Sequence, residues 1–165
     1  MRFQTLLTAL ILTLWGTVSI AATTTTTTFG VSATVVDSCS VSASALGFGN
    51  VDPVSLASTA VDATTTIDVT CANGTAYDVG LDAGTATGAT VTTRQMTSGA
   101  NTLNYALYSD TGRTTNWGET VSTDTVAGTG DGTAQTLTVY ARIPSGQGTV
   151  PTGAYSDTIT VTVTY

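Results

Sequence analysis

A chain of 165 residues with no histidine, no lysine and two cysteines lacks the side chains from which a Ser-His-Asp triad or a Cys-His pair is built. Four arginines face eleven acidic residues, a net charge of −7, which argues against a nucleic-acid or anionic-membrane partner. Forty threonines, many alternating with Val or Ile, are an all-β composition.

Arg2, the apolar run at 6–14 and the stretch Ser19-Ile-Ala21 have the charged, apolar and small-residue parts of a signal peptide, with cleavage expected after Ala21 or Ala22. The other reading is an anchor helix, but the run is shorter than the ~20 residues a span needs and no stop-transfer segment follows it. No membrane insertion is expected after signal removal. About 144 residues then remain, enough for one domain, with three arginines against eleven acids and a net charge of −8. The expected division is 1–21 signal peptide, 22–36 N-terminal extension and 37–165 one domain.

Residues 23–28 are six threonines, a low-complexity leader with no apolar face. Phe29, Val31, Ala33 and Val35 then fall on every second position, the period of a strand with one face to bury. Cys39 and Cys71 follow a secretory leader, so one disulfide is expected; a metal site would need carboxylates to complete it and matches no zinc spacing. Past Val41 the apolar parity shifts to Leu46 and Phe48, predicting a bulge or turn in the first sheet strand. Ile67, Val69, Cys71, the dipeptide Asn73-Gly74, and Tyr77, Val79, Leu81 predict a hairpin.

A short strand is expected over 91–96 and a clearer one at Leu103, Tyr105 and Leu107, ending at 109–112. Gly128–Gly132 reads as a loop; it matches one copy of a calcium repeat, but without the period an ordinary glycine loop is the simpler reading. Leu137, Val139, Ala141 and Ile143 form another strand, closed by Pro144 and the turn at 145–148. The last strand spans 155–165, with Ile159, Val161, Val163 and Tyr165 on one face and no following segment to cover its edge. Six or seven strands from Cys39 onward, with no helical period, fit a β-sandwich. The lack of lysine removes a common guard of sheet edges and suits edges that are meant to be paired.

The candidate chemical sites are sparse. The eleven acids lie on turn-like segments, where capping is their usual role. Tyr105 alternates with core leucines, and Trp117, which with Tyr108 could form a sugar platform, is read as packing under a loop. Asn73-Gly-Thr75 matches a glycosylation acceptor. No catalytic, cofactor-binding or metal-binding residue is assigned.

Several ordered pieces resemble the spore coat protein U domain family, which includes subunits of archaic chaperone-usher pili. They are Val69-Thr-Cys71 with Gly74, Tyr77, Val79, Leu81 and Gly84; Arg94 with Met96; and Leu103-Asn-Tyr-Ala-Leu-Tyr-Ser-Asp110. Arg113-Thr114 with Trp117-Gly118, Tyr140-Ala-Arg-Ile-Pro144 and Gly153-Ala-Tyr-Ser-Asp157 complete the series. Ala141 stands where the family often has glycine. The resemblance implies an incomplete immunoglobulin-like sandwich completed by donor-strand exchange. A periplasmic chaperone would fill its gap first, and the N-terminal strand of the next subunit would follow after passage through an outer-membrane usher. It implies that Phe29, Val31, Ala33 and Val35 are the donor residues, that Ile159, Val161, Val163 and Tyr165 edge the acceptor groove, and that copies of the chain form a linear fibre. Such a chain passes through the periplasm to the cell surface, where a fibre serves adhesion or biofilm formation. The alternation alone leaves open a plain first strand folded into its own domain. In that case the chain is a secreted monomeric carbohydrate-binding module or a spore or cell coat protein.

Overall fold

The computed structural model describes residues 20–165; residues 1–19, on which the signal-peptide expectation falls, lie outside the described residues. The chain divides into two units, Met1–Thr34 and Val35–Tyr165. Residues 20–34 of the first carry no helix or strand and are exposed.

The second unit is a two-layer antiparallel sandwich. Its strands are β1 (Cys39–Ala43), β2 (Val61–Cys71), β3 (Ala76–Leu81), β4 (Arg94–Ser98), β5 (Asn101–Tyr108), β6 (Val126–Thr129), β7 (Ala134–Ile143) and β8 (Val161–Thr164). One sheet has the order β1-β2-β7-β5-β4, the other β6-β3-β8. The longest ladder runs from Val61 opposite Ile143 to Thr70 opposite Ala134. Because side chains alternate across a strand, this register gathers Ile67, Leu137, Val139 and Ile143 on the inner face and pairs Asp62 with Arg142 and Thr66 with Thr138 on the outer one. Tyr77, Val79 and Leu81 of β3 close the core from the other layer. Trp117 lies between the sheets, its indole N–H donating to Val79 O at 2.7 Å and its backbone N–H to Leu107 O at 2.9 Å.

Cys39 and Cys71 are directly opposed in the β1–β2 ladder, with Cα atoms 4.1 Å apart, and are joined by a disulfide.

Five expectations are corrected. Residues 29–35 form no strand with any other described residue, which corrects the reading of a plain first strand folded into its own domain. The proposed hairpin is not one: β2 belongs to the five-stranded sheet and β3 to the three-stranded sheet, so the Asn73-Gly74 turn crosses the sandwich. The parity shift at Leu46 and Phe48 marks the end of β1 at Ala43 and a long irregular segment, held to β2 by Ser44 N–H donating to Thr66 O.

The last strand is shorter than its alternation. The chain bridges Thr97 of β4 through Ser156, then changes sheets and joins β3 only from Val161 to Thr164. Finally, the described residues hold eight strands and one helical turn, α1 (Pro53–Leu56), beyond the six or seven strands expected. The turn is capped by Asp52, whose carboxylate accepts from the N–H groups of Val54 and Ser55, and is too short to show a period. The additional strand β6 overlaps the predicted glycine loop. Gly128 is required there because a Cβ would run into the Tyr77 ring. Over the described residues, no helix is long and apolar enough to cross a membrane.

Candidate functional site: an open groove beside the last strand

Where β8 enters its sheet, the core is open. β8 pairs with β3 alone among the described strands, so one of its edges is free. The irregular segment after β1 faces that edge across a cleft of about 910 Å³. Ile159 and Val161 line one wall, Leu46, Phe48 and Val51 the other, and Leu103, Tyr105, Leu107 and Ile143 lie between them. Phe48 meets Tyr105 edge-on, with ring centroids 6.3 Å apart. The wall residues are half-buried although they pack on the core, which leaves apolar surface facing solvent. Val163 also packs on the core but lies beyond the cleft lining, and Tyr165 is exposed. The segment 150–155 closes one end.

A polar knot beside the cleft holds the approach to β8. Asp157 accepts from Thr85 N–H (2.9 Å), Thr85 Oγ1 (2.8 Å), Tyr105 Oη (2.7 Å) and Thr158 N–H (2.8 Å). Burial pushes its pKa up, but these hydrogen bonds outweigh burial and leave it below its ordinary value. The same arrangement raises the Tyr105 phenol far above its ordinary range, through burial first and then its bond to the Asp157 carboxylate. Gly84 has φ of +83° and lies against Asp157 with no room for a Cβ. Asp82 Oδ1 accepts from Thr160 N–H at 3.0 Å.

Beneath this knot, the fully buried Arg94 donates to four backbone carbonyls: Asp82 and Val91, each at 2.7 Å, Leu81 at 2.8 Å and Trp117 at 2.7 Å. Burial lowers its pKa. Its side chain thus ties β4 to the end of β3 and to the loop carrying Trp117.

The groove lies in the second unit, and the expected donor residues do not form part of a sheet: Phe29, Val31, Ala33 and Val35 are all exposed. Sequence reasoning missed the wall at 46–51, whose irregular backbone has no period to read. Gly84, Arg94, Tyr105, Trp117 and Asp157 stand in separate pieces of the sequence and are brought together only by the fold. The expected turn roles of the acids are found at Asp52, Asp110 and Asp131. Trp117 and Tyr105 are buried, as packing residues. Thr75 of the Asn73-Gly-Thr75 triplet is buried, and its hydroxyl is engaged by Asp37.

These features define a class, an immunoglobulin-like β-sandwich whose core is open along one edge strand. The chain is similar to a chain in the crystal structure of the CsuC-CsuE chaperone-tip adhesion subunit pre-assembly complex from archaic chaperone-usher Csu pili of Acinetobacter baumannii. The TM-score is 0.59 at 23% identity, covering 80% of this chain and 40% of that one. The chain therefore spans two fifths of that neighbour's length, and the likeness is one of fold. The Spore Coat Protein U domain model matches residues 25–162, and the chain belongs to that family. Protein U of Myxococcus xanthus is 36% identical over 157 residues, covering 87% of each chain.

Proposed function

We propose that the protein is a structural subunit of a secreted surface fibre that polymerises by donor-strand exchange. The observation that carries this reading is an apolar groove beside the free edge of β8 in a chain that also has an exposed, strictly alternating apolar segment at 29–35. In a fibre, Phe29, Val31, Ala33 and Val35 of one subunit enter the groove of the next and pair with the strand that carries Ile159, Val161, Val163 and Tyr165. Fully burying Phe29, Val31 and Val35 contributes on the order of 5 to 8 kcal/mol gross. Each new ladder hydrogen bond adds about 0.5 to 1.5 kcal/mol.

Before assembly the open groove needs a cover. A periplasmic chaperone supplies it, and an outer-membrane usher exchanges it for the next subunit's strand. The signal peptide, the extension at 22–36 and the domain at 37–165 are the three parts this route requires. The fibre ends outside the cell, in an adhesive or biofilm role. The fold of a chaperone-usher pilus subunit and membership of the Spore Coat Protein U domain family support the reading.

The test is a secreted chain whose mature part begins at Val36, expressed with its chaperone and usher. It should fold and bind the chaperone but give no polymers, and Val31→Asp in the full chain should do the same. Fibres resistant to mild denaturant from the truncated chain would refute the proposal.

A further inference from the structure

Three consecutive residues at the start of the domain are each fastened to the end of β2 or to the turn that leads from it to β3. Asp37 Oδ1 accepts from Thr75 Oγ1 at 2.7 Å. The Ser38 carbonyl accepts from Ala72 N–H at 2.9 Å, and Cys39 is joined to Cys71 by the disulfide. The turn is itself clasped from the loop after β6: Gly74 N–H donates to Gly130 O at 2.9 Å, and Gly130 N–H donates to Thr75 O at 2.8 Å. Thr75 is buried and Asp37 is exposed, so a fixed donor holds a residue that otherwise has room to move. The two preceding residues of the same unit, Val35 and Val36, are 92% and 71% exposed.

Resting on the donor-strand reading above, we propose that Asp37 is a positioning residue, whose bond to Thr75 leaves Val36 as the single hinge between consecutive subunits. The donor alternation ends at Val35 and the first tether is at Asp37, so one residue separates the strand given to a neighbour from the body of its own domain. One residue supplies two soft backbone dihedrals and spans at most about 3.6 Å. A joint that short passes the orientation of one domain on to the next. Without the Asp37–Thr75 bond the first fixed residue becomes Ser38, and the free linker doubles to Val36 and Asp37. The Ser38 and Cys39 tethers then still hold the domain together, so folding and strand donation continue while the joint loosens.

The full chain is compared with Asp37→Ala, Asp37→Asn and a chain with Gly-Ser inserted after Val36, each co-expressed with the chaperone and usher. Asp37→Asn keeps an acceptor oxygen for Thr75. Asp37→Ala strips the buried Thr75 hydroxyl of its partner and should melt a few degrees below wild type, yet assemble in wild-type amounts. In electron micrographs its inter-subunit angles should spread, with persistence length falling on the order of twofold as the linker doubles. The insertion should lower persistence length further, and Asp37→Asn should stay near wild type. An unchanged angle distribution in Asp37→Ala fibres overturns the proposal, as does equal spreading in Asp37→Asn.

Failure of the wild-type chain to form fibres would instead count against donor-strand exchange. Backbone 15N relaxation on each full chain purified in complex with the chaperone separates the two: the rigid backbone should begin at Asp37 in wild type and at Ser38 in Asp37→Ala. Identical profiles overturn the positioning role whether or not fibres form.

Discussion

β7 and β8 both alternate apolar with polar side chains and end in opposite situations. β7 is paired on both sides, by β2 and β5, and its inward residues Val139, Ala141 and Ile143 are buried. β8 has four paired residues and one free edge, and Val161 and Val163 remain half-exposed. The pattern of a strand therefore specifies which face turns to the core, and the neighbours decide how well that face is covered. A strand sealed on both sides sustains the fold, while one sealed on a single side leaves the fold something to complete.

The largest contrast should come from placing the same charge on each strand. Val139→Asp puts an unpaired carboxylate in the sealed core, a change worth several kcal/mol, and should abolish the cooperative thermal transition seen by circular dichroism. Val161→Asp faces the open groove and should keep that transition, with a loss of about 1 kcal/mol, while blocking assembly. If the two variants melted alike, the distinction between sealed and open strands would fail.

Removing both cysteines acts on the five-stranded sheet, since the disulfide joins its edge strand β1 to β2. On the chain-entropy account it should cost roughly 3 to 4 kcal/mol, read as a lower denaturant midpoint with a steeper slope, because the denatured chain without its cross-link exposes more surface. Thiol labelling of the native, unreduced protein should modify neither cysteine.

The smallest effect concerns the approach to β8 and depends on pH. Asp157 has a folded pKa below its unfolded one, so its contribution to stability is fully present above the unfolded value of about 3.9 and is lost as pH falls through the folded value. The melting temperature should drop more steeply below about pH 4 in wild type than in Asp157→Asn. Parallel acid curves for the two proteins would show that the knot does not stabilise the open side.

What was legible in the chain follows the same division. Tyr105 and Leu107 in β5, and Val139, Ala141 and Ile143 in β7, announce themselves because two-residue periodicity and burial coincide there. The facing partners were harder. Asn73-Gly74 is a strong hairpin signal, yet with those two residues as the turn Cys71 would oppose Ala76 and Val69 would oppose Asp78. The apolar sets of the two strands would then point to opposite faces of one sheet. That parity clash was available in the sequence, and it is resolved by sending β3 to the other layer.

β6 contributes little beyond Val126 and a glycine whose reason is Tyr77, and α1 is a single capped turn. Neither leaves a periodic trace. Of the groove, the wall with Ile159 and Val161 could be read from alternation, whereas the wall with Leu46, Phe48 and Val51 lies on irregular backbone. The Arg94 knot depends on residues 12 to 23 positions away, which no local pattern reports.

The arginine distribution described above has a consequence for resistance to proteolysis. A trypsin-like protease needs an accessible lysine or arginine to seat in its specificity pocket. Beyond residue 2 the chain has three such residues, all arginines. Arg94 is fully enclosed, and Arg142 sits within the β7 ladder with its guanidinium on Asp62. Arg113 packs over the Tyr140 ring and ion-pairs with Asp62 at 3.3 Å. The folded domain presents such an enzyme with no unengaged arginine among its described residues, so resistance to digestion comes from where the cations are placed as much as from how tightly the sheets are joined.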